Sequence, residues 1–154
     1  MSYDLTFLPK TDDQSWEEAM AAAEEAEDGD APSAQVWAEL LAAARQELGE
    51  VEVFESEDSY ELDHEPSGIQ LSYYAGEAAI SVPYWHRAER ARAVVDSIYR
   101  LGAAVERLTG LRGFDPQLEL PLTEAAARHD LAVETFDRVA ASFAERGIES
   151  PSHH

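Results

Sequence analysis

Cysteine is absent from this 154-residue chain, so neither a disulfide framework nor a thiolate metal site is open to it. Asparagine is missing as well, lysine occurs once, and eleven basic side chains face thirty-two acidic ones, for a formal charge of −21. A balance so negative repels phosphates, which argues against nucleic-acid binding, and it disfavours an anionic membrane surface for the same reason. No apolar run approaches the ~18–20 residues of a membrane helix, and Met1–Lys10 lacks the basic-then-apolar order of a secretion signal. Phosphate loops of the G-x-G-x-x-G and G-x-x-x-x-G-K-[ST] types do not occur, and no serine sits in a G-x-S-x-G elbow. No catalytic residue, metal ligand or cofactor is assigned on these grounds.

What is present suits a folded domain. A hydrophobic content of 45% is too high for a disordered chain, and the length fits one core. We therefore expect a soluble, cytoplasmic chain forming a single α+β domain over 1–149, with 150–154 a disordered tail. The expected architecture is an antiparallel sheet of about four to six strands covered by about four helices.

Period-two alternation marks the strands. Tyr3, Leu5 and Phe7 alternate with Asp4 and Thr6 until Pro9 stops the run. Val51, Val53 and Phe54 lie in a second run, and Tyr60, Leu62 and His64 alternate with Glu61, Asp63 and Glu65 in a third. Ile69–Tyr73 and Ala79–Val82 read as a hairpin about Ala75-Gly76-Glu77, so the middle of the chain is a meander packed on one side. Gly113–Leu120 is extended, with Pro116 and Pro121 suggesting an edge strand.

Helical spacing fills the rest. Thr11…Gln14 and Ser15…Glu18 both fit a capping box ahead of the stripe Trp16, Ala19, Met20, Ala23. Asp28–Pro32 breaks that helix; Ser33 is the expected cap of the next, which runs through Trp37, Leu40, Leu41, Ala44 and Leu48 to Gly49. A long helix carries Ala91, Val94, Val95, Ile98, Leu101, Val105 and Leu108 to Gly110. Thr123 is the expected cap of the last, with Ala132, Phe136, Val139, Ala140 and Phe143 inward and Gly147 at its end.

The charge is unevenly distributed. Residues 1–65 hold twenty acids against Lys10 and Arg45, a balance of −18, whereas residues 66–154 come to −3. A concentrated negative half attracts a cation, either a basic protein surface or Mg²⁺ or Ca²⁺; solvation and genome composition are the competing explanations. The contact candidates are Asp12, Asp13, Glu17, Glu18, Glu24, Glu25, Glu55, Glu57, Asp58 and Glu61. Glu61, Asp63 and Glu65 fall on one face of an extended strand and could offer hard oxygens to Mg²⁺ or Ca²⁺, but an acidic solvated strand face has the same pattern. His64 then points inward as a hydrogen-bonded imidazole. A second candidate surface is aromatic: Tyr73, Tyr74, Tyr84, Trp85 and His86 cluster where the hairpin returns, either as a binding surface with tyrosine hydroxyls and His86 at its rim or with Trp85 and one tyrosine plugging the sheet–helix seam. Pro83 beside these aromatics is a candidate cis site. Asp115, before Pro116, reads as a turn residue accepting backbone amides.

The opening Met1-Ser2-Tyr3-Asp4-Leu5, the strand end Val82-Pro83-Tyr84-Trp85, and Thr109-Gly110-Leu111 with Phe114-Asp115-Pro116-Gln117 resemble a loose group of small bacterial proteins common in actinobacteria. Some of these look like immunity proteins encoded beside toxins. The resemblance covers about a sixth of the chain; it implies a small cytosolic α+β domain with a binding role and supplies no site residues. The leading reading is a non-enzymatic acidic module that binds a basic protein surface, with no nucleic-acid or membrane partner. The alternatives are a small metal-dependent or small-molecule enzyme using the Tyr73–His86 surface, and a self-associating structural subunit.

Overall fold

The computed structural model describes residues 2–11, 13–25, 34–56, 59–74, 77–83 and 88–145. Seven strands form one antiparallel sheet: β1 (Ser2–Leu8), β2 (Glu52–Glu55), β3 (Ser59–His64), β4 (Ile69–Tyr74), β5 (Glu77–Pro83), β6 (Arg112–Asp115) and β7 (Leu120–Pro121). Their order is β2-β3-β4-β5-β1-β6-β7, so the central meander is as expected and β1 inserts between β5 and β6. The helices are α1 (Trp16–Glu25), α2 (Ala34–Leu48), α3 (Ala88–Thr109), α4 (Leu122–Ala125) and α5 (His129–Glu145). The fold is α+β.

Alternation explains the packing. Leu62, Leu71, Ile80 and Leu5 stand opposite one another on successive strands, all buried, and α3 covers them with α2 and α5 on its flanks. Trp37 of α2 stacks on Tyr60 at 5.2 Å, and Tyr60 lies 6.4 Å from Tyr73. Of the two sequences that fit a capping box, Ser15 starts α1, with Glu18 N–H donating to its Oγ at 3.1 Å; Thr11 and Gln14 instead close a turn. Gly49 and Gly110 end α2 and α3 at positive φ, their amides bonding back to Arg45 and Glu106.

Several expectations are corrected. The sheet has seven strands rather than four to six, because Gly113–Leu120 is a hairpin, not one edge strand: β6 pairs with β1 on one side and β7 on the other. The reversal follows from Pro116, which cannot donate to a ladder, and from Glu119 at φ 57°. Thr123 does not cap the last helix. It lies inside the short α4, and a single 3-10 turn, Ala126–Arg128, separates that element from α5. Leu122 is buried against Gly102 and Gly113, which pins α4 to the sheet and forces the break before α5. No peptide bond among the described residues is cis, so Val82–Pro83 is trans. Ser33, the Asp28–Pro32 break, the Ala75-Gly76 turn, Gly147 and the 150–154 tail lie outside the described residues.

One polar cluster occupies the core. Asp115 is fully buried, and its carboxylate takes five donors. Oδ1 accepts from the Gln117 amide (3.0 Å), the Leu118 amide (3.1 Å) and Gln117 Nε2 (2.8 Å). Oδ2 accepts from the hydroxyls of Tyr99, at 2.7 Å, and of Tyr3. Both hydroxyls are spent on that oxygen, since each holds one hydrogen. Burial, and then the Asp115 charge, push both phenols far above their ordinary range. Gln117 also repairs the sheet: its carboxamide accepts from Asp4 N–H at 2.8 Å and donates to Asp4 C=O at 2.7 Å, where Pro116 offers no ladder amide. The backbone acceptor role expected of Asp115 is thus present, and joined to it is a tyrosine pair from distant elements.

Candidate functional site

The helical layer leaves one sheet surface turned outward. Along it run two cross-strand rows, each residue opposite the next. The first is Phe54, Glu61, Ser72, Ala79 and Thr6, ending at Phe114; the second is Glu52, Asp63, Gln70, Ser81 and Asp4. Neighbouring strands lie ~4.8 Å apart, so these side chains form a continuous surface. At the β6 end Trp16 covers it, stacked on Phe114 at 4.7 Å. Toward β2 it is open.

Two features set this open end apart. Its strands carry no fixed positive charge: no lysine or arginine occurs from residue 46 to residue 86, nor in β1. It also carries both exposed large hydrophobics among the described residues, Phe54 at 50% and Tyr74 at 37%. Tyr74 hydrogen-bonds to Glu77, its partner across the hairpin; partial burial, then the Glu77 charge, raise its pKa.

The carboxylates are placed at an energetic disadvantage. Glu52 and Asp63 are directly opposite on β2 and β3, an arrangement that like charges disfavour. Among the described residues Asp63 Oδ1 is a buried side-chain oxygen with no hydrogen-bond partner, and an unpaired buried polar atom costs ~1–3 kcal/mol. Both residues line a hollow of about 530 Å³ with Gln70, Ser81, His64 and Glu65. His64 is half-buried, with Nδ1 2.6 Å from Ser67 Oγ. Burial lowers its pKa, partly offset by a backbone hydrogen bond with Leu48. Its imidazole is therefore hydrogen-bonded, at the rim of the core and not within it.

The candidate contact residues separate in space. Glu61 is on the open face. Glu55 is not: it stands opposite Tyr60 and accepts from Trp37 Nε1 at 2.9 Å, on the helical side. Asp13, Glu17 and Glu18 are exposed around the start of α1. Glu24 and Glu25 belong to α1, but their side chains, like Asp12, Glu57, Asp58, Tyr84, Trp85 and His86 altogether, lie outside the described residues. Tyr73 is buried under Tyr60, so it walls no surface pocket. Glu52 and Phe54 are missing from the candidate residues, although alternation from Val53 puts both on the outward face; Asp63 and Tyr74 figure there only as a candidate metal ligand and as part of the aromatic cluster. Among the described residues no group of three or more His, Asp or Glu side chains is placed to hold a metal ion, and no helix is long and apolar enough to cross a membrane. No protein-family model, curated protein or solved structure matches the chain.

Proposed function

We propose that the chain is a non-enzymatic acidic binding module, acting in the cytoplasm, that neutralises a basic protein partner through the open β2–β5 face. The observation that carries this reading is the Glu52–Asp63 pair: two opposed carboxylates and a buried oxygen without a donor, on strands β2–β5, which contain no lysine or arginine. An arginine or lysine side chain from a partner supplies what is missing there, while Phe54, two residues from Glu52 on the same strand face, offers a ring to the same cation. Complementary charge also accelerates encounter, and that gain is screened at high salt.

The test is an NMR titration with an octa-arginine peptide. Amide shifts are expected on β2–β5, with affinity falling about tenfold or more in the triple variant Glu52→Gln, Glu61→Gln, Asp63→Asn. A control variant removing three charges elsewhere (Glu17→Gln, Glu18→Gln, Glu39→Gln) is expected to lose far less. Equal losses in the two variants, or shifts spread over all exposed acids, refute the reading.

A further inference from the structure

A second hollow, of about 710 Å³, has the opposite character. It opens beside β6, where β7 is too short to cover Arg112 and Gly113. Lys10, Arg107 and Arg112 line it, three of the eleven cations in a chain of charge −21. The acids at its wall are Glu106 and Glu124. Glu106 is already engaged: its Oε2 accepts from the Gly113 amide at 2.9 Å, covering a donor of the free strand edge. Lys10 is held in position, its ammonium 5.5 Å above the Trp16 ring and 3.2 Å from the Thr11 carbonyl.

From this arrangement we infer a binding site for a small phosphomonoester. The Arg107 guanidinium fork and the Lys10 ammonium, with Arg112 beside them in the lining, suit a dianion better than a single carboxylate. The volume falls in the range of small-ligand sites, ~300–1,000 Å³. Trp16 has Phe114 stacked on it and Lys10 above its ring, so it gives no bare platform for a nucleobase. Glu124 and Thr123 at the rim are partners for hydroxyl groups, which points to a non-aromatic polyol phosphate. The overall negative charge does not forbid this: beyond a Debye length of ~8 Å the remaining acids are screened, and the lining itself holds three cations against two carboxylates.

The test is a ¹⁵N–¹H titration of the intact chain with glycerol 3-phosphate, inorganic phosphate and glycerol at matched ionic strength. Saturable shifts at residues 110–113 and the Trp16 indole are expected with glycerol 3-phosphate, weaker ones with inorganic phosphate, and none with glycerol. Arg107→Gln and Lys10→Met should each weaken binding about tenfold with chemical shifts elsewhere unchanged, and Glu61→Gln should leave it intact. Having two separate variants keeps the test decisive if one disturbs the fold. Absence of saturation at millimolar ligand, or the same shifts with sodium chloride alone, overturns the inference.

Discussion

Replacing Asp115 by alanine removes an acceptor on which five donors converge. Tyr3 and Tyr99, 0% and 3% exposed, then hold hydroxyls with no carboxylate to receive them. The two hydroxyls lie 3.1 Å apart, so one can then donate to the other; with one left orphaned and the charge-assisted bonds lost, the change costs about 2–4 kcal/mol. That is a large share of the ~5–15 kcal/mol that stabilises a domain of this kind. The Gln117 carboxamide also loses one anchor of its bridge to Asp4, so β1 and the β6–β7 turn weaken together. Tyr3→Phe in the native background removes one charge-assisted bond and is expected to cost ~1.5–3 kcal/mol. In the Asp115→Ala background the same change removes no charge-assisted bond and still leaves one hydroxyl without an acceptor, so its cost should fall below ~1 kcal/mol. Urea unfolding of the four proteins, followed by circular dichroism, measures the cycle. A loss below ~1 kcal/mol for Asp115→Ala, or additive effects in the double variant, refutes the view that this cluster is one cooperative unit.

The same tyrosines set an alkaline limit. Their folded pKa values lie above the ordinary 10.0, so above pH 10 the unfolded chain releases protons that the native state keeps. Stability is therefore full below about pH 10 and falls by ~1.4 kcal/mol per pH unit for each tyrosine above it. Urea unfolding measured across that range should show the slope reduced by about 1.4 kcal/mol per pH unit in Tyr99→Phe, and an unchanged slope contradicts the assignment. Gly113→Ala tests the close approach of β6 to the core. An added Cβ would lie 2.8 Å from Phe7 Cε1 and 2.9 Å from Leu122 Cβ, an overpacking expected to cost ~1–3 kcal/mol. Thermal unfolding reads that loss, and an unchanged midpoint contradicts the close approach.

Much of the fold is legible from local pattern. Tyr3-Asp4-Leu5-Thr6-Phe7 could only bury alternate residues as a strand, and the 3–4 residue spacing from Ala91 to Leu108 could only bury one stripe as a helix. Gly49 and Gly110 end their helices where the apolar stripes end. The hairpin hidden in Gly113–Leu120 was less legible, because two short strands and one long one share the same composition; the deciding feature is Pro116 failing to donate toward β1. The open face was half legible. Glu61 and its neighbours follow from alternation, but Glu55 looked equivalent to Glu61, and only the β2–β3 register turns it toward Trp37.

The linear chain by itself determined which residues turn inward, where most elements stop, and how unevenly charge divides between its two parts, since periodicity, capping and charge act over a few neighbouring positions. Tertiary structure alone decided which partners meet across long separations. Tyr3 and Asp115 are 112 positions apart, yet share a hydrogen bond because β1 comes to rest beside β6. Lys10, Arg107 and Arg112 line one hollow because the β1 end and the α3 end reach the same corner of the sheet. Glu52 faces Asp63, against electrostatic preference, because the hydrophobic register of Val53 on Leu62 outweighs the repulsion. Burial of apolar side chains selects the register, and the charges must accept the neighbours it brings them.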